Sequence, residues 1–170
     1  PLSVLQLLAK FWGLYLYRFS TKAKLVTQKN LATCFRAKTA VEVDKMTRAS
    51  LTNTACTILE MGKSWISPMA KSLELVTESE GEENFFAATA SEHGVILLAP
   101  HIGNWEIFGF YMCDKLKSTW LYQPPEYNLI DQFITKTRSR AGIKMAPTNR
   151  IGVSKVLAAL RRGEVVGILP

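Results

Sequence analysis

From Gly94 onward the chain alternates short apolar runs with helical patterns of ten to twelve residues, and few folds accept that rhythm. VILLA (95–99) reads as a buried strand and residues 105–116 as a helix. Residues 119–122 are a strand candidate, 129–140 a helix and 143–145 a short strand. Residues 153–162 form a further helix with Gly163 behind it, and 165–169 a final strand. Strands that alternate with helices of this length pair in parallel, because each helix carries the chain back to the edge where the last strand began. The expected fold class is α/β, with a mostly parallel sheet flanked by helices.

The N-terminal half lacks this alternation and reads as helical. Residues 1–19, PLSVLQLLAKFWGLYLYRF, place Val4, Leu5, Leu7, Leu8, Phe11, Trp12, Leu14, Tyr15, Leu16 and Phe19 at largely helical intervals. Residues 22–36 form a short basic segment ending in NLATCF. Residues 39–61 again show helical spacing, and Gly62 supplies a closing signal. Pro68 breaks the stretch 65–70. LELVTES alternates apolar and polar residues, the pattern of a strand, and 84–92 reads as a short helix. The final run, GEVVGILP, ends on a hydrophobic strand, which is expected of a piece of a longer chain.

Charge locates a partner surface. Residues 1–50 hold nine Lys or Arg against Glu42 and Asp44, an excess equal to the whole chain's net charge of +7. A basic segment attracts either nucleic acid or an anionic membrane. Here the neighbours of the charges are Trp and Tyr on an apolar helix, and no nucleic-acid motif occurs. Lys10 in the middle makes 1–19 a poor spanning helix, and it lacks the basic start and cleavage site of a signal peptide. A helix lying in the membrane interface fits, and a core helix of a soluble domain remains the alternative. Residues 1–36 are therefore expected to be a membrane-associated basic amphipathic segment.

With 48% hydrophobic and 21% charged residues, disorder is excluded as the default. Cys34, Cys56 and Cys113 show no paired spacing and read as reduced structural thiols on the cytosolic side. Two histidines cannot build a His-rich metal centre, so no metal is expected.

The chemistry concentrates in PHIGNWE. In α/β sheets reactive groups gather beyond the carboxyl ends of strands, and His101 follows VILLAP directly. Asn104 is a good helix cap, and Glu106 falls in the first helical turn, where the helix dipole favours a carboxylate. Folded back, Glu106 can accept a hydrogen bond from one ring nitrogen of His101 and leave the other as a base. That is two-thirds of a nucleophilic triad, with a substrate hydroxyl able to supply the third part. The same residues also serve as an ordinary capped helix start that happens to carry ionisable groups. His93, in the loop SEHG, reads as a polar loop residue. No GxSxG, GxxxxGK[ST] or GxGxxG occurs.

PHIGNWE resembles the His-x4-Asp/Glu motif of the lysophospholipid acyltransferase superfamily, in the form found in bacterial lipid A biosynthesis (lauroyl/myristoyl) acyltransferases. NLATCF, ESEGEENF, LYQPPEYNLIDQFITKTRSRAG and ALRRGEVVGILP resemble further blocks of that family along nearly the whole chain. The last block continues in the family into an acidic residue after the proline. The resemblance thus implies a glycerolipid acyltransferase-like domain over 37–170, incomplete at its C-terminal end. It assigns His101 and Glu106 to catalysis and Gly103, Asn104, Trp105, Arg138 and Arg140 to substrate binding. The family has Tyr-Arg-Pro where this chain has Tyr122-Gln123-Pro124, so an anion-holding role of that arginine is either lost here or falls to Arg138 or Arg140.

What the resemblance implies is acyl transfer from an acyl carrier protein thioester to a hydroxyl of a lipid A precursor, with no metal and no organic cofactor. The partners implied are the carrier protein, an anionic glycolipid acceptor and the cytoplasmic face of the inner membrane, with no nucleic acid. Two alternatives stay open: an acyltransferase for another glycolipid, such as a phosphatidylinositol mannoside, and a non-catalytic membrane-binding relative.

Overall fold

The computed structural model describes residues 1–19, 21–91 and 93–169, so Glu92 and Pro170, which close the expected helix 84–92 and the last family block, lie outside the described residues. The chain divides into two compact units, Pro1–Lys63 and Ser64–Pro170.

The first unit is helical. Helix α1 (Leu2–Arg18) is followed by α2 (Lys22–Cys34) and by α3 (Ala40–Ile66), whose last residues belong to the second unit. Gln6 donates to Glu60 at 3.0 Å and Tyr17 donates to Asp44, so α1 and α3 run antiparallel. At Gly13 the two backbones touch: a Cβ there would stand 2.5 Å from the Thr52 Cα. Ala9, Ala55 and Thr47 are fully buried. The Nζ of Lys24 lies 4.5 Å above the Tyr17 ring, which ties the start of α2 to α1. Residues 22–36, expected only as a basic segment, are therefore mostly helix. Its start is set by Thr21, whose hydroxyl accepts from the Lys24 N–H at 3.1 Å. Helix α3 opens with a reciprocal capping box. Thr39 Oγ1 accepts from the Glu42 N–H at 3.3 Å, while Glu42 accepts from the Thr39 N–H at 2.8 Å.

Gly62 does not end α3, against expectation. A Cβ there would meet nothing within 4 Å, so the glycine is neither a close approach nor a left-handed stop. Pro68 is the stop that acts, because a proline disfavours helical geometry in the residue before it. Pro68 then serves as N-cap of α4 (Met69–Leu73).

The second unit carries the sheet. LELVTES is not a strand: Leu73 ends α4 and 76–79 run without regular structure, since alternation without a partner strand gives no ladder. After α5 (Glu82–Thr89) come β1 (Val95–Leu98), α6 (Trp105–Lys115), β2 (Ser118–Tyr122), α7 (Asn128–Arg140), β3 (Lys144–Pro147), α8 (Arg150–Arg161) and β4 (Val165–Ile168). The four strands are parallel in the order β1-β4-β2-β3, with Val95 opposite Val165 and Trp120 opposite both Gly167 and Met145. The α/β expectation holds.

Period-two alternation divides the core between the two faces. Leu97, Trp120 and Met145 pack with Phe110 and Met112 of α6, while Leu121, Ala146, Val166 and Ile168 pack with Val156 and Ala159 of α8. Trp120 lies so close over β4 that a Cβ at Gly167 would come within 2.3 Å of its indole. Its N–H donates to Ser118 Oγ at 2.8 Å, which also lies 2.8 Å from the Cys113 sulfur, and burial pushes that thiol's pKa up. Because Ile96 pairs with Val166 and Leu98 with Ile168, both share the α8 face, yet they are 53% and 62% exposed.

Candidate active site

Parallel strands end on one edge, and the residues that follow them collect there. His101 comes after β1, Gln123 after β2 and Thr148 after β3. The β1 ladder is prolonged by Ala99, whose N–H donates to the Ile168 carbonyl at 2.8 Å. A tight turn follows, with the Ile102 N–H on the Pro100 carbonyl at 2.7 Å. Gly103 then takes φ +60, a left-handed conformation that side chains resist. This turn leaves His101 exposed, its ring edge-on to Trp105 with centroids 4.8 Å apart.

Asn104 starts α6. Its Oδ1 accepts from the Ile107 N–H at 3.4 Å, and its Nδ2 donates to Ser64 Oγ at 3.1 Å. Glu106, in the first turn, is only 3% exposed. A carboxylate so buried requires a partner, and Arg138 of α7 provides it. The guanidinium grips both oxygens, through Nε at 3.1 Å and through Nη2. Arg140 turns elsewhere and donates to the Trp65 carbonyl at 2.8 Å. Gln123 accepts from the Thr148 hydroxyl, which joins the loops after β2 and β3. Of the residues expected in the site, the fold thus brings Glu106 to Arg138 and His101 to Trp105.

The sequence matches, over residues 1–170, the family described as bacterial lipid A biosynthesis acyltransferase. The chain belongs to that family. It is similar to the lipid A biosynthesis palmitoleoyltransferase of Escherichia coli (strain K12), at 26% identity over 172 aligned positions. It is similar to the same extent to the lipid A biosynthesis acyltransferase of Shigella flexneri. The match takes in 100% of this chain and 55% of either relative, so the chain spans about half the length of the curated relatives it matches.

In this family member a cavity of about 390 Å³ runs from Asn104 between β1, α5 and α6. Val76, Phe85, Leu97, Ile107, Phe108 and Met112 make its wall apolar. Its rim is polar: Tyr111 donates to Glu82, and Lys115 lies 3.5 Å from Glu82 and 4.6 Å above the Tyr111 ring. The Tyr111 hydrogen bond holds the Glu82 carboxyl below the usual range. Sequence reading missed this cavity, because its walls come from a coil, two helices and a strand that no single motif spans. It missed Ser64 and Trp65 as well. Among the described residues no three His, Cys, Asp or Glu side chains gather as metal ligands, and no helix is long and apolar enough to cross a membrane.

Proposed function

We propose that this chain is the catalytic portion of an O-acyltransferase that moves a fatty acyl group from an acyl carrier protein thioester to a hydroxyl of a lipid A precursor. The observation that carries the reading is the exposed His101 at the carboxyl edge of the sheet, one turn from the buried Glu106–Arg138 pair. His101 takes the proton of the acceptor hydroxyl, and the oxygen attacks the thioester carbonyl. The tetrahedral intermediate expels the carrier thiolate as the C–S bond breaks, and the imidazolium returns its proton to that sulfur. An ester and a free thiol result. Two lone-pair positions of Glu106 are occupied by Arg138, and the remaining ones can accept the second ring N–H of His101 and hold its tautomer. The N-terminal N–H groups of α6 suit the oxyanion. Gly103, Asn104 and Trp105 shape the floor on which the acceptor rests.

The apolar cavity that begins at Asn104 suits the acyl chain, being within the size range of small-molecule pockets. In the first unit, α1 exposes Val4, Leu7, Leu8, Phe11, Leu14 and Tyr15, and α2 exposes Leu25 and Val26. Lys10, Arg18, Lys22, Lys24 and Lys29 accompany them. Such a surface suits the lipid–water boundary of an anionic leaflet, and this supports the reading of an enzyme that works on the cytoplasmic face of the inner membrane.

The test is His101→Ala in the full-length protein, assayed with acyl carrier protein thioester and a lipid A precursor, the product being weighed by mass spectrometry. Loss of ~10²–10⁴-fold in kcat with an unchanged thermal transition supports general-base catalysis. Undiminished turnover rejects it, and transfer to a different glycolipid alone would change the acceptor.

A further inference from the structure

The residues that carry the proposed chemistry are fastened at both ends to one short piece of backbone, the last turn of α3. Ser64 is 3% exposed, and its hydroxyl accepts from the Asn104 side-chain amide at 3.1 Å. The other end of that amide caps α6 through the Ile107 N–H, so the hydrogen bond to Ser64 decides which way the cap faces. Asn104 lies between His101 and Glu106 and governs how the turn enters the helix. The neighbouring residue, Trp65, gives its carbonyl to Arg140 at 2.8 Å and packs edge-on against Phe133 with centroids 6.1 Å apart. Both of those partners belong to α7, which also carries Arg138. From Ser64 a hydrogen bond leads to Asn104, the backbone of α6 to Glu106, the ion pair across to Arg138, and α7 along to Arg140 and back to Trp65. They close into a ring.

We propose that Ser64 is a positioning residue for His101 and Glu106, with the Trp65–Arg140 contact as its counterpart on the Arg138 side. The inference rests on the acyl-transfer reading for its kinetic consequence but not for its structural one. Without the Ser64 hydroxyl the Asn104 amide has lost its acceptor and rotates, the α6 cap loosens, and His101 leaves its place over Trp105. Catalytic groups displaced by about 1 Å lose up to ~10²-fold in rate.

The ring nitrogens of His101 report this directly, and His93, the chain's other histidine, is an internal reference. In full-length protein labelled at histidine, Ser64→Ala is expected to move the His101 imidazole ¹⁵N resonances and leave those of His93 in place. Ser64→Thr, which keeps the hydroxyl, restores them. In the acyl-transfer assay kcat follows the same order, with ~10-fold lost in Ser64→Ala while KM is retained. Ser72→Ala, another buried serine, is the control for general loosening. Coincident His101 spectra in Ser64→Ala and wild type would overturn the proposal, as would an equal movement in Ser72→Ala. Wild-type turnover by His101→Ala would instead remove the acyl-transfer reading, and the imidazole spectra would still decide the role of Ser64.

Discussion

Arg138 donates to both carboxylate oxygens of Glu106, a buried ion pair that joins α7 to the first turn of α6 thirty-two residues away. Its value lies less in net stability than in what happens when one half is removed. A buried pair roughly breaks even against apolar packing, whereas a buried charge left alone is costly. Arg138→Ala is therefore expected to destabilise the protein by about 3 kcal/mol, near the lower end of the range because the arginine side chain is 18% exposed. Combining it with Glu106→Gln should recover part of that loss in a urea titration while transferase activity stays low. Arg138→Lys keeps the charge without the fork and should fall between the two.

The capping box at the start of α3 gives a pH signature. Hydrogen bonds from Lys38 and from the Thr39 backbone pull the Glu42 carboxyl from 4.5 down to about 2. The folded value lies below the unfolded one, so its contribution is complete above about pH 4.5 and disappears as the pH falls through about 2. Wild type is expected to be more stable than Glu42→Gln at pH 6, and the two melting curves should converge near pH 2. A difference that persisted there would mean the glutamine is damaging by its shape.

The cavity beside Asn104 predicts a change in chain selection. Val76→Trp, on the coil side of its wall, takes up volume while leaving the strand residues themselves unchanged. Longer acyl donors should then lose more kcat/KM than shorter ones, by about 0.8 kcal/mol for each methylene denied burial. Competition between two acyl carrier protein thioesters of different length reads the ratio directly. Equal losses for both would place the acyl chain elsewhere.

The basic helices predict salt-sensitive lipid binding. Replacing Lys22, Lys24 and Lys29 with glutamine should weaken co-sedimentation with anionic vesicles by about 1 kcal/mol per charge and leave zwitterionic vesicles nearly unaffected. Phe11→Ser should weaken both, since it removes apolar area from an exposed position on α1.

What could be read beforehand was local. Strand VILLA, the turn carrying His101 and the Asn104 cap were legible because short apolar runs, a glycine and a capping amide act over a few residues. Gly62 misled because a glycine marks a helix end only if its left-handed geometry is used, and α3 does not use it. LELVTES misled because alternation describes a surface that could pair, without supplying the pair. The partner of Glu106 was invisible for another reason. Arg138 was noticed only as a candidate for holding substrate, and nothing in spacing brings positions thirty-two residues apart together. The Ser64–Asn104 bond spans forty residues within the second unit and depends on packing that no local pattern announces.

The strand order has a consequence for synthesis. Among the described residues β1, which delivers His101, is hydrogen-bonded in the sheet to β4 alone, Val95 to Val165 and Leu98 to Ile168. A ribosome finishes β1, β2 and β3 well before it makes the strand that docks β1, so the loop to be closed is long and its entropy is unreturned until then. The histidine turn is written early and seated late. A nascent chain arrested before Val165 would hold every residue of the proposed site without the neighbouring strand that aligns β1.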